Sequence, residues 1–189
     1  MEINDSHALA IVNRGRTYRQ LGRYEEALED LNKAIEIDSE YAFAIASRGE
    51  TYRQLGRYEE ALEDLNKAIE IDDEYDWVYY DIALTYLSLD QSVHFETSLS
   101  KAIKIAQKPC QKSSARRQRS FNLALYCLVS GDLDKSKEVY QNSVENAVHQ
   151  EDIQEAIRDL DDLIKEFPNF PYARDTHDWL YSLLSNERD

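Results

Sequence analysis

The side chains that most often do chemistry are sparse in this 189-residue chain and poorly spaced for it. The four histidines, His7, His94, His149 and His177, fall on four different segments, none at metal-ligand spacing from another histidine or a cysteine. Each reads as a surface or rim residue. Cys110 and Cys127 lie seventeen positions apart without a CxxC, so they make neither a zinc site nor a disulfide framework. They read as reduced thiols, which implies a cytoplasmic setting. Asp72, Asp73, Glu74 and Asp76 crowd one turn, but it lacks the central glycine and closing glutamate of an EF-hand calcium loop. Asp159, Asp161 and Asp162 belong to the polar face of one helix. Neither the phosphate-binding loops GxxxxGK[ST] and GxGxxG nor the nucleophile elbow GxSxG occurs. The sequence therefore predicts no catalytic residue, no metal, no cofactor and no enzyme.

Composition narrows the remaining classes. Five glycines and three prolines are too few for the many turns of a sandwich or barrel. With 31% charged and 42% apolar residues, the balance is that of a helical globular chain. The net charge of −15 repels phosphate backbones and anionic lipid, which argues against nucleic-acid and membrane partners. The start, MEINDSHALAIVNRG, has neither the basic nor the apolar region of a signal peptide. The longest apolar stretch, near Trp179 to Leu184, is far too short to span a bilayer.

An internal repeat sets the architecture. Residues 17–38 and 51–72 are identical, at an offset of 34. Extended to 8–41 and 42–75, the copies agree at 29 of 34 positions. A third copy fits 76–109 through Thr85, Tyr86, Leu89, Leu99, Lys101, Ala102, Ile103 and Ile105. A fourth fits 117–150 through Leu123, Ala124, Leu125, Gly131, Leu133, Tyr140 and Val144. Within the second copy, Ala42, Ile45, Gly49, Tyr52 and Leu55 recur at helical steps, as do Tyr58, Ala61, Leu62, Leu65, Ala68, Ile69 and Ile71. Gly56 separates the two runs as a helix stop. Each copy is thus a helical hairpin, and because one amphipathic hairpin cannot bury both its faces, the copies must stack. Residues 151–167 form a further amphipathic helix ended by Pro168, and a last helix carries Tyr172, Ala173, Trp179, Leu180, Leu183 and Leu184. These make a capping hairpin, 151–189. The expectation is an all-α solenoid of about ten helices in one domain, 1–189.

A helix–turn–helix repeat of this length resembles the tetratricopeptide repeat family, whose pattern runs W-x₂-L-G-x₂-Y…A-x₃-F…P. Ile45, Arg48, Gly49 and Tyr52 fill its first part, and Ala61, Leu65 and Ala68 continue it. The terminal proline is replaced by Ser39, Asp73 and Gln107, and Arg14 and Arg48 stand in the leucine slot. In the third copy the small residue after the turn becomes Phe95, so that hairpin should be splayed or repacked. The resemblance implies a superhelix of hairpins that holds partner proteins in a concave groove lined by the first helix of each. Some members grip chaperone C-termini with a Lys/Asn clamp; the matching slots hold Val12, Arg16 and Ser47, so that role is not carried over. The segments LALYCLVSGDLDKSKEVYQ and AIRDLDDLIKEFP are similar to the C-terminal repeat arrays of bacterial STAND-type signalling proteins.

Charge placement inside the repeat carries one structural expectation. Arg14 and Arg48 occur where Asp30 and Asp64 follow sixteen positions later; the third copy has Ile82 with Ser98 and the fourth Leu123 with Val139. Charge arrives with charge and leaves with charge. An Arg–Asp contact between the helices of a hairpin explains this, and so does recent common ancestry of the first two copies.

The first two copies differ only at Leu9/Phe43, Val12/Ala46, Asn13/Ser47, Arg16/Glu50 and Ser39/Asp73. The first four fall at i, i+3, i+4 and i+7, one stripe along the first helix. An Arg-to-Glu exchange reads as an accessible site, and the family resemblance puts the stripe in the groove. Arg19 and Arg53 extend it. The third copy continues with Trp77, Tyr80, Asp81, Leu84 and Leu87, and the fourth with Phe121, Leu125 and Leu128. The expected groove is cationic at one end and apolar-aromatic at the other, unless the last helix with Trp179 folds back to fill the apolar half.

No acidic residue occurs from Thr97 through Gly131, a stretch that holds Lys101, Lys104, Lys108, Lys112, Arg116, Arg117 and Arg119. This basic patch reads either as a dock for an acidic partner or another copy's acidic end, or as a solvated linker with a helix start. RNA would need aromatic platforms beside the charge, and only Phe121 is near. The sequence thus predicts a non-catalytic adaptor, sensor or scaffold that binds a protein or peptide, with homo-oligomeric assembly as the alternative.

Overall fold

The computed structural model describes residues 2–109, 113–146 and 150–185. Among these, ten helices and no strand are found: α1 (Glu2–Gln20), α2 (Tyr24–Ile37), α3 (Ala42–Gln54), α4 (Tyr58–Ile71), α5 (Asp76–Ser88), α6 (Ser92–Ala106), α7 (Ser113–Ser130), α8 (Leu133–Glu145), α9 (Gln150–Glu166) and α10 (Ala173–Ser185). The chain is all-α, built of helical hairpins at the repeat spacing. It packs as two compact units, 1–101 and 102–189, with the division inside α6, whereas the repeat arithmetic anticipates one continuous array.

The two identical second helices show how sequence becomes element. Tyr58–Ile71 buries Ala61, Asp64, Leu65 and Ala68 on one stripe, and Glu59 and Glu60 sit in the first turn, where a carboxylate favours the positive end of the helix dipole. α2 repeats this with Ala27, Asp30, Leu31 and Ala34. The turns between paired helices need left-handed backbone, and Gly22, Gly56 and Gly131 supply it at φ 72°, 74° and 84°. In the third copy Asp90 occupies the same slot at φ 56°, a conformation aspartate tolerates better than most residues.

In the first unit α1 pairs with α2 and α3 with α4, while α2 packs on α3, α4 on α5, and the first helices α1, α3 and α5 are neighbours in turn. The hairpins close tightly where glycine permits. A Cβ on Gly49 would stand 2.8 Å from Leu65 Cγ, and one on Gly15 3.2 Å from Leu31 Cγ. In the third copy Ala83 of α5 stands where Gly49 does, and Phe95 of α6 stands where Ala61 does. Between these two helices Tyr86 stacks on His94 with centroids 4.8 Å apart near the turn, and Lys101 Nζ lies 5.1 Å over the Tyr79 ring far from it.

In the second unit α7 pairs with α8, α9 with α10, and α9 also touches α7. Ser136 takes the small-residue slot and its hydroxyl donates to the Ala124 carbonyl at 2.8 Å, stitching α8 to α7. Tyr126, Tyr140, Leu160 and Leu180 are buried in this core. Burial raises the phenol of Tyr140 and the thiol of Cys127 above their ordinary ranges.

The charge pairing between hairpin helices is present. Arg48 Nε donates to Asp64 Oδ2 at 2.6 Å and Nη2 to Oδ1 at 2.8 Å. Arg14 and Asp30 repeat the fork at 2.6 and 2.8 Å. The two-pronged hydrogen bonding from Arg14 holds the Asp30 carboxyl below the usual carboxylate range. Both aspartates are buried, and removing Asp64 takes two hydrogen bonds from the half-buried Arg48, which keeps the one it donates to Asn32. Asp64→Ala should therefore lower stability by about 1–3 kcal/mol in denaturant unfolding. The pair Arg48→Leu with Asp64→Val, the residue types of the fourth copy, should recover much of the loss.

Candidate partner-binding groove

The predicted stripe lies along α1, α3 and α5, but only part of it meets solvent. Leu9 is 46% exposed and Asn13 is exposed; Arg16, Phe43, Glu50, Trp77, Tyr80 and Leu87 are half-buried. Val12, Ala46 and Ser47 are fully buried, and Arg19, Arg53, Asp81 and Leu84 nearly so. In the second unit Phe121, Leu125 and Leu128 are buried too. α9 packs on α7, and Phe121 lies 6.4 Å from the Tyr140 ring. An accessible apolar half of the groove on α7 is therefore corrected to core.

The cationic half is also corrected. Arg19 Nη1 lies 2.8 Å from Glu50 Oε1, with side chains 6% and 16% exposed. Arg53 Nε lies 3.1 Å from Asp81 Oδ1, at 4% and 6%. Each pair runs from one first helix to the next. An arginine on one repeat thus meets an acid placed one or two turns earlier on the following repeat. Arg16 follows the same geometry, its guanidinium carbon 5.1 Å over the Phe43 ring. The differences between the copies therefore build the seam between them. Glu50 differs from Arg16 because Glu50 has Arg19 to neutralise, while Arg16 has Phe43 to cover. Ser47 turns its hydroxyl to the Phe43 carbonyl at 2.8 Å inside that seam.

Half-buried rings gather at the N-terminal ends of α3 and α5. Phe43 and Trp77 meet edge to face at 5.9 Å, Tyr75 stands 6.4 Å from Phe43 and 5.9 Å from Trp77, and Tyr41 lies 6.3 Å from Phe43. Sequence reasoning found Phe43 and Trp77 but missed Tyr41 and Tyr75. The signal was available: each closes its repeat immediately before a first helix. Burial raises both tyrosine hydroxyls above their ordinary range. Every other arginine of the first unit faces a carboxylate: Arg14, Arg19, Arg23, Arg48, Arg53 and Arg57. Arg16, beside these rings, has no carboxylate partner among the described residues.

The basic patch is divided in use. Lys104 on α6 and Lys108 just after it are exposed, whereas Arg117 Nε is 2.9 Å from Asp152 Oδ2 and so ties α7 to α9. Arg116 is exposed, Arg119 is half-buried, and Lys101 lies over Tyr79. Lys112, Cys110 and His149 lie outside the described residues. No group of three or more His, Cys, Asp or Glu able to hold a metal occurs among the described residues. No described helix is long and apolar enough to cross a membrane.

Residues 5–74 match the tetratricopeptide repeat family. No curated protein matches the chain by sequence. Solved structures share its fold. The second tetratricopeptide domain of human RPAP3, in complex with the HSP70 peptide SGPTIEEVD, is 21% identical over 65% of this chain and 97% of its own, with a TM-score of 0.51. SycD, the type III secretion translocator chaperone of Yersinia enterocolitica, is 16% identical over 65% and 91%, with a TM-score of 0.55. The Arabidopsis OM64 tetratricopeptide domain is 18% identical over 60% and 91%, with a TM-score of 0.53. The fold is that of stacked tetratricopeptide hairpins.

The Arg53–Asp81 pair gives the seam a direct test. Both groups are almost fully buried, so Asp81→Ala takes a close carboxylate away from a buried guanidinium and should cost about 3 kcal/mol or more in chemical denaturation. An Asp81→Ala protein with an unchanged denaturation midpoint would remove this pair from the account.

Proposed function

We propose that the first unit binds a segment of another protein across the first helices α1, α3 and α5, as a non-catalytic adaptor. The observation that carries this reading is Arg16, an arginine with no carboxylate partner among the described residues, over the half-buried ring of Phe43, which in turn meets Trp77. A cation next to an apolar ledge suits a segment that carries an aromatic or aliphatic anchor with an acidic residue beside it. The family match and the peptide-bound human domain of the same fold support a peptide-holding role. The chaperone tail in that complex is not proposed as the ligand, since the clamp slots hold Val12, Arg16 and Ser47, two of them buried. The reading extends to a sensor or adaptor portion of a bacterial signalling protein, supported by the tail segments that resemble STAND-type arrays. It includes a cytoplasmic setting, consistent with the free buried thiol of Cys127.

Self-association through the same ledge is the second reading, and it is favoured by the same rings. Sedimentation against concentration separates the two. Aromatic anchors at interfaces commonly contribute about 2 kcal/mol or more, roughly thirtyfold in affinity. Trp77→Ala should weaken binding of the partner recovered with the wild-type chain by that factor while unfolding stays cooperative. Arg16→Ala should flatten the salt dependence of binding. Partner retention unchanged by Trp77→Ala would reject the ledge.

A further inference from the structure

Two turns of the first unit hold a cation between a ring and an acid. Arg23, in the turn between α1 and α2, pairs with Glu26 and lies with its guanidinium carbon 4.5 Å over the Tyr18 ring. Arg57, between α3 and α4, pairs with Glu60 and lies 4.4 Å over the Tyr52 ring. The loops from α2 to α3 and from α4 to α5 carry the ring and the acid alone. Tyr41 follows Asp38 there, and Tyr75 follows Asp72. Burial raises both phenols above their ordinary range, and the carboxylates raise them further, Asp38 at Tyr41 and Asp72 at Tyr75, which also feels Tyr41. Residues 34–47 and 68–100 contain no lysine or arginine. Among the described residues Asp38 and Asp72 have no basic partner; the Oδ1 of each accepts the backbone amide two residues on, from Glu40 and Glu74, at 3.0 Å. Exposed Glu40 and Asp73 add negative charge to the same loops.

We infer that the segment held in the proposed groove carries an arginine or lysine beside its apolar anchor, seated on Tyr41 and Tyr75 and facing Asp38 and Asp72. The inference rests on the groove reading and adds a charge order to it: an acid at Arg16, an anchor at Phe43 and Trp77, a base at the two tyrosines. The rings that would carry anchor and base are continuous, since Tyr41 lies 6.3 Å from Phe43 and Tyr75 lies 5.9 Å from Trp77. A cation on a tyrosine face with a carboxylate beside it gains from both, the arrangement that Arg23 and Arg57 already occupy in this unit. The occupant is a segment of another protein. This chain's own base–ring–acid runs, Arg23-Tyr24-Glu25 and Arg57-Tyr58-Glu59, are poorer occupants, because their arginines are already held within it.

The probes are two fluorescein-labelled peptides, GRRGFGEEG and GAAGFGEEG, each titrated against the full chain by fluorescence anisotropy. The first is expected to bind at least about tenfold more tightly than the second. Asp38→Asn with Asp72→Asn keeps the oxygens that accept from Glu40 and Glu74, so this variant should melt like the wild type while the ratio of affinities falls to near one. Glu25→Gln with Glu59→Gln removes equal charge from exposed positions elsewhere and should leave the ratio standing. Equal affinity of the two peptides, both weakened by Trp77→Ala, overturns the inference and leaves the groove reading in place. A ratio that survives the two asparagines overturns it as well, and so does one that falls equally with the two glutamines, which would mark general attraction to an acidic chain. Binding of both peptides indifferent to Trp77→Ala, or no binding of either up to about 1 mM, overturns the groove reading and the inference together.

Discussion

Each hairpin in this chain is amphipathic on two sides and can bury only one of them by folding on itself. Everything else follows from the need to cover the second side with the next hairpin. Tight closure within a hairpin comes from Gly15 and Gly49, which let α1 and α3 approach Leu31 and Leu65. Between hairpins, Ala44 of α3 joins the apolar core of Ile11, Val12, Leu31 and Ala34, and along the first helices charge meets charge: Arg19 with Glu50 and Arg53 with Asp81, side by side with Arg16 on the Phe43 ring. Such pairs are expensive to desolvate, so their net gain in stability is small, while removing one partner is costly.

That constraint changes the meaning of sequence divergence. Two copies identical in 29 of 34 positions could stack as equals, yet the positions that differ cluster where one first helix touches the next. The first copy needs a cation to lay on Phe43; the second needs an acid for Arg19; the third supplies Asp81 for Arg53. What stays accessible on the stripe is the remainder: Leu9, Asn13, Arg16, Tyr80, Leu87 and the ring cluster around Trp77.

The fold was legible because helical period, glycine stops and a fixed offset are local properties of the sequence. The Arg14–Asp30 and Arg48–Asp64 forks were legible for the same reason: both partners lie in one repeat and vanish together in the third and fourth copies. The pairs that cross between repeats were not, since Arg19 and Glu50 differ in repeat position and the offset of 31 residues is not the repeat length. Exposure was misjudged at Val12, Ser47, Phe121 and Leu125, where helical phase gives a direction but not what covers it. On α7 that cover comes from α9, whose stripe of Ile153, Ala156, Ile157 and Leu160 has its own need for burial.

The central claim is that the divergent stripe encodes the seam between repeats. Rewriting the second copy to match the first, with Phe43→Leu, Ala46→Val, Ser47→Asn and Glu50→Arg together, tests it in one protein. The account predicts a large fall in thermal stability, of at least about 5 °C, because Arg19 would face an arginine and two fully buried sites would be overfilled. An unchanged melting temperature would show that the stripe is free of the seam, and would contradict the account.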